Sequence, residues 1–84
     1  MDIIVTVKYF AGIADSAGKT AETISLPAQA TLADLIDVLA AEHGEKFRLD
    51  LSVCAFLSGG RRLEVADRIS DVAELDVLPP FAGG

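Results

Sequence analysis

Only one long stretch of this chain carries the helical period, and it lies between segments that alternate with period two. Thr31 opens it, with a hydroxyl suited to the N-cap, and Asp34 three residues on completes a capping-box-like pattern. Leu32, Leu35, Ile36 and Leu39 then fall at helical spacing and make one apolar stripe, with Asp34 and Asp37 off it. His43 occupies the last turn, where positive charge is favoured, and Gly44 follows as a natural stop. Before this helix, Ile3 to Phe10 alternates, with Ile3, Val5, Val7 and Tyr9 on one face and Ile4, Thr6, Lys8 and Phe10 on the other. Ala11 to Ala17 reads as a short helical turn closed by Gly18, and Thr20 to Leu26 as a second strand, with Ile24 and Leu26 inward and Pro27 at its end.

After the helix, Glu45 to Leu51 reads as a polar connection anchored by Phe47 and Leu49. Val53 to Leu57 reads as a strand, Ser58-Gly59-Gly60 as a hairpin turn and Arg61 to Val65 as the return strand. Ala66 to Ala73 is a loop around Ile69. In the final strand Leu75 and Val77 face one way, and Glu74, Asp76 and Leu78 the other. The expected order is β-β-α-β-β-β. One capped helix and several strands require an α+β layer, with a mixed sheet and the main helix on one of its faces. If the first and last strands pair in parallel, the uncovered face carries Thr6, Lys8, Phe10, Glu74, Asp76 and Leu78. Phe10 and Leu78 are large apolar groups on a face that water should favour as polar, which points to a docking site. The orientation of Val53 to Leu57 stays open, since both of its faces carry apolar residues.

The alternation ends at Leu78, and Pro79-Pro80-Phe81-Ala82-Gly83-Gly84 follows. Residues 1–78 are expected to form the folded domain and residues 79–84 a flexible tail. Two prolines fix φ and direct the tail away from the domain. Two glycines, lacking Cβ, let the backbone thread a slot too narrow for other residues. The carboxylate that follows is the group such a tail offers to another protein's active site.

Other chemistries find little support. Thirteen acids against seven bases give a net charge of −6, which argues against nucleic-acid binding and suits solubility or a basic partner surface. With one cysteine and one histidine there is no disulfide framework and no zinc-ligand spacing. Gly59-Gly60 lacks the Lys-Ser/Thr of a phosphate loop, and no nucleophile has a plausible base: Cys54 reads as a small buried hydrophobe within a strand, and His43 as a helix-end residue. Arg61 and Arg62 flank the turn, as solvated side chains or as contacts for an acidic partner patch. No segment reads as a secretory signal and no apolar run reaches membrane-spanning length, so a cytoplasmic location is expected.

Lys8-Tyr9-Phe10-Ala11 after the first strand and Leu78-Pro79-Pro80-Phe81-Ala82-Gly83-Gly84 at the end carry a resemblance that spans the whole chain. It resembles the ubiquitin-like β-grasp sulfur carriers, most closely the small subunits of molybdopterin synthase (the MoaD type). The Gly59-Gly60-Arg61-Arg62-Leu63-Glu64 hairpin fits the same fold. The resemblance implies that an adenylyltransferase resembling ubiquitin-activating enzyme activates Gly84 with ATP and that a sulfur donor converts it to a thiocarboxylate. Pro79, Pro80, Phe81, Ala82 and Gly83 would thread the tail into the large synthase subunit, where sulfur passes to a cyclic pterin monophosphate. It implies Phe10, Leu78 and Phe81 as the partner-binding residues, with no bound cofactor, no metal and no catalysis by the chain alone. The alternatives are a carrier for thiazole or cysteine biosynthesis, a ubiquitin-like protein modifier, and an interaction domain whose glycines do nothing.

Overall fold

The computed structural model describes residues 1–80. Phe81, Ala82, Gly83 and Gly84, which carry most of the expected tail chemistry, lie outside the described residues. The elements are β1 (Asp2–Tyr9), α1 (Ala11–Ala17), β2 (Ala21–Pro27), α2 (Leu32–His43), α3 (Glu45–Ser52), β3 (Ala55–Ser58), β4 (Arg61–Arg62) and β5 (Glu74–Leu78). The five strands form one sheet in the order β2-β1-β5-β3-β4. β1 and β5 run parallel, with Thr6 opposite Glu74 and Tyr9 opposite Val77, and the other pairs are antiparallel. The sheet is therefore mixed, as expected, and the first and last strands do pair in parallel.

The two periodicities meet in the core. Val5, Val7 and Tyr9 of β1, Ile24 and Leu26 of β2, Phe56 of β3 and Leu75 and Val77 of β5 point to one side, and α2 lays Leu32, Leu35 and Leu39 on them. Burying such side chains stabilises by about 1.5–3 kcal/mol each relative to exposure. The capping box at the start of α2 is complete: Asp34 N–H donates to Thr31 Oγ1 at 3.3 Å, and Thr31 N–H to Asp34 Oδ2 at 2.9 Å. Ile69 is fully buried under its loop, whose backbone is tied to the start of α2 by Ile69 N–H to Ala30 O and Leu32 N–H to Asp67 O. Among the described residues no helix is long and apolar enough to cross a membrane.

Three expectations need correction. Residues Glu45 to Leu51 are not a polar connection but most of α3. Phe47 and Leu51, four apart, share its buried face, while Leu49 is 69% exposed and anchors nothing. Gly44, at φ +108°, lets the chain turn from α2 straight into α3, which removes the need for a loop. The expected strand Val53 to Leu57 starts at Ala55 and ends at Ser58. Val53 is exposed at the end of α3, and Cys54 lies in the turn, half-buried, its Sγ donating to Asp50 O at 3.3 Å. The return strand is two residues long rather than five, although Leu63 N–H still reaches Phe56 O at 2.8 Å.

Candidate functional site

The sheet face opposite the helices is open, and strand register sets its residues in rows. Thr6 lies beside Glu74; Lys8, Asp76, Leu57 and Arg62 form one row across β1, β5, β3 and β4; Ala55 lies beside Leu78. Phe10 N–H donates to Val77 O at 3.2 Å, which holds Phe10 just beyond β1 and alongside Leu78. Phe10 O accepts from Ile13 N–H at 3.2 Å, so both backbone groups of Phe10 are committed. Ala11 takes φ +52°, a left-handed conformation that costs a non-glycine residue about 1–2 kcal/mol and turns the chain sharply into α1.

The open face therefore brings together the residues that the sequence placed there. Phe10 is 41% exposed, and Leu78 is half-buried beside it. It also adds Ala55 and Leu57, which sequence reasoning left out, and places Arg62, read from the sequence as a solvated side chain or a partner contact, on the same face. Ala55 and Leu57 are half-buried on this face because Phe56 between them points into the core, and Arg62 follows from its register with Leu57. The alternation of β3 holds the signal, but only the pairing with β5 decides which parity faces out. Phe10, Leu78, Ala55 and Leu57 make an apolar patch at the tail end of the sheet. Charged groups border it: Lys8 Nζ meets Glu74 Oε1 at 2.9 Å, and this hydrogen bond and charge hold the lysine above its ordinary pKa, with Asp76 adding to the effect.

The tail leaves from β5, the central strand, paired on both sides by β1 and β3. Pro79 is half-buried and Pro80 exposed. Both line a cavity of about 230 Å³ between α1 and α3, together with Ile13, Asp50, Val53 and Cys54. Burial, and then the charge of Asp50, push the Cys54 thiol up, so it stays protonated and acts as lining rather than nucleophile.

His43 is more than a helix-end residue. Its Nε2 lies 2.7 Å from Glu22 Oε2, which also accepts from Tyr9 Oη at 2.5 Å, while Lys19 Nζ stands 3.5 Å from the other carboxylate oxygen. The His43 ring packs on Phe47 at 4.7 Å with the two planes tilted by 48°, and Phe47 meets Tyr9 edge-to-face at 5.7 Å. Burial works to raise the Glu22 pKa, but hydrogen bonds from Tyr9 and His43 and the charges of His43 and Lys19 outweigh it and hold the carboxyl below its ordinary value. Burial, then the bond to Glu22, pushes the Tyr9 phenol well above its usual range. This cluster pins β1, β2, α2 and α3 together and lies on the helix side of the sheet, away from the open face.

The ThiS family model matches residues 7–84. Among solved structures, a Pyrococcus furiosus protein assigned as subunit 1 of a molybdopterin converting factor is 30% identical, with 93% of this chain and 98% of that chain covered and a TM-score of 0.81. SAMP1 of Haloferax volcanii is 24% identical over 98% of this chain and 100% of its own, with a TM-score of 0.78. The small archaeal modifier protein 1 of Methanosarcina acetivorans is 20% identical over 100% and 99%, with a TM-score of 0.77. The last two share the fold. No curated protein matches the chain in sequence.

Proposed function

The chain belongs to the ThiS family, and from that premise we propose that it carries sulfur on Gly84 as a molybdopterin synthase small subunit does. In this reading an adenylyltransferase resembling ubiquitin-activating enzyme uses ATP to convert the Gly84 carboxylate to an acyl adenylate. A carboxylate is a poor electrophile, and the adenylate is a good one because AMP leaves readily. A sulfur donor then replaces AMP and leaves a thiocarboxylate. The tail, threaded by Pro79, Pro80, Phe81, Ala82 and Gly83, delivers that sulfur in a large synthase subunit to a cyclic pterin precursor. Phe10, Leu78 and Phe81 provide the apolar contact with both partners, joined by Leu57 and Ala55. ATP belongs to the activating partner, and residues 1–78 serve as the body that partners recognise.

One observation carries the reading: the Gly83-Gly84 tail continues from a central, doubly paired strand beside an exposed apolar patch. Root, patch and tail together form an addressable carboxyl group. The likeness to a molybdopterin converting factor subunit favours this pathway over thiazole or cysteine biosynthesis. The test is intact mass after incubation with ATP, an adenylating enzyme of this family and a sulfur donor. A species heavier by one oxygen-to-sulfur exchange, mapped to Gly84, is expected, and a variant with one residue appended after Gly84 should lack it at an unchanged melting temperature. An unmodified mass under these conditions would overturn the proposal, and adducts joining Gly84 to lysines of other proteins would mark a modifier instead.

A further inference from the structure

The tail starts between two apolar surfaces. On the open face lies the patch of Phe10 and Leu78. On the helix side lies the cavity of about 230 Å³, lined by Gly12 and Ile13 of α1 and by Val53 and Cys54 after α3. Val53 keeps 61% of its surface in water there. An apolar cavity of about 150 Å³ takes up benzene, so this one has room for a phenyl ring, while small-molecule sites run from about 300 Å³ upward. Pro79 and Pro80 line the same cavity, and the described chain ends at them. Four residues follow, and Phe81 is the one large apolar group among them. Leu75 and Val77 point inward, and Pro79 is next on that parity. A residue before a proline is held extended, so Leu78 and Pro79 continue the alternation of β5. Phe81 is the following member of the inward series.

We propose that the Phe81 ring docks in the cavity between α1 and α3 in the free chain and draws the tail back onto the helix side. The ring then packs against Ile13, Val53 and Cys54 and takes Val53 out of water. Asp50 also lines the cavity and repels a carboxylate, so the ring enters and the Gly84 end stays outside. The chain's own ring fits better than a side chain of another protein. Phe81 is joined directly to Pro80 at the cavity wall, and this tether gives it an effective concentration that a free partner has to match. The three residues beyond it reach at most about 10 Å, so docking keeps the terminal carboxylate near the helix side. Docking is a property of the free chain, and only its consequence for transfer rests on the sulfur-carrier reading above. For that transfer Phe81 has to leave the cavity and join Phe10 and Leu78 on the other face. The apparent affinity of a partner is then scaled by the fraction of chains in which the ring is released.

Nuclear magnetic resonance on the full chain, with neither ATP nor a partner present, tests this, so its failure leaves the carrier reading standing. Nuclear Overhauser contacts from the Phe81 ring to the methyls of Ile13 and Val53 are expected. The same methyls should carry a ring-current shift that disappears in Phe81→Ala. Phe81 lies past β5, so its truncation removes no strand or core residue. The Cys54 thiol on the cavity wall supplies a second readout. Its rate of reaction with an aromatic disulfide reagent should rise at least about threefold in Phe81→Ala, in proportion to the docked fraction, and stay near the wild-type rate in Phe81→Leu. Methyl shifts or thiol rates that are the same in wild type and Phe81→Ala would overturn the proposal. So would ring contacts to Phe10 or Leu78 in the free chain, which would put Phe81 on the open face. Protection of Cys54 that grows with protein concentration would also overturn it, because the occupant would then be a second copy.

Discussion

Truncating Glu22 should cost this domain a large part of its stability, although the residue touches neither the patch nor the tail. Its carboxylate accepts from Tyr9 Oη at 2.5 Å and from His43 Nε2 at 2.7 Å, with both partners largely withdrawn from water. Hydrogen bonds to a charged group contribute about 1.5–3 kcal/mol each, which sets a ceiling near 3–6 kcal/mol. Burying the carboxylate offsets part of this, so Glu22→Ala should lose about 2–4 kcal/mol. Total stability for a domain this size is about 4–13 kcal/mol, so the loss is easily seen in urea unfolding followed by far-UV circular dichroism. Glu22→Gln keeps an acceptor, and the hydroxyl and imidazole can reorient around it, so only the charge assistance goes and the loss should be about 1 kcal/mol. The pH dependence follows from the lowered native pKa of Glu22. A carboxyl held below its unfolded value binds fewer protons when folded, so its stabilisation is complete above the ordinary glutamate range, near 4.5, and fades as pH falls through the lower native value. The gap between the wild type and Glu22→Gln should therefore close as pH falls below about 5. A Glu22→Ala loss below about 0.5 kcal/mol, or a gap that widens below about pH 5, would refute the cluster's role.

Leu51→Ala should lose about 2–5 kcal/mol in the same assay while Leu49→Ala stays within about 0.5 kcal/mol, and equal losses would mean that α3 packs on a different face. Phe10→Asp should weaken binding to an adenylating enzyme or large synthase subunit by calorimetry while shifting the melting temperature little; a collapse in stability would show that Phe10 is core.

Where the sequence was legible, a local rule and the tertiary structure agreed. The β1 alternation, the capping box of Thr31 and Asp34, the stripe on α2 and the parity of β5 each follow from a period set by backbone geometry. α3 was not legible because its apolar content is small: Phe47 and Leu51 are the whole buried face, and the charged residues between them read as loop. Those charges in fact support a helix, with Lys46 four residues before Asp50 and Arg48 bonded to Glu45 at 2.9 Å and to Asp37 of α2 at 2.7 Å. The Tyr9–Glu22–His43 cluster was illegible for another reason. Its members are 13 and 21 residues apart, on three elements, and nothing in any one segment marks them as partners. Glu22 does sit on the inward parity of β2, the same as Ile24 and Leu26, and a charge at an inward position is the signal that would have called for a buried partner.

The parallel pairing of β1 with β5 connects fold to site. It brings residue 10 beside residue 78, so the patch is assembled from the two ends of the chain and exists only when the sheet is complete. An unfolded or partly folded chain still has its glycines but has no patch, and a partner that needs both would engage only folded carriers. The same pairing puts the strand that leads into the tail at the centre of the sheet, hydrogen-bonded on both sides. Opening it requires breaking two ladders rather than one, so the tail root should exchange its amide protons among the slowest in the domain. From Leu78 the six residues to Gly84 reach at most about 20 Å. A fixed root and a bounded reach keep the terminal carboxylate within about 20 Å of Leu78. A partner seated on Phe10, Leu78 and Leu57 therefore meets the carboxylate at high effective concentration, and lengthening the tail should lower transfer even where the added residues are glycines.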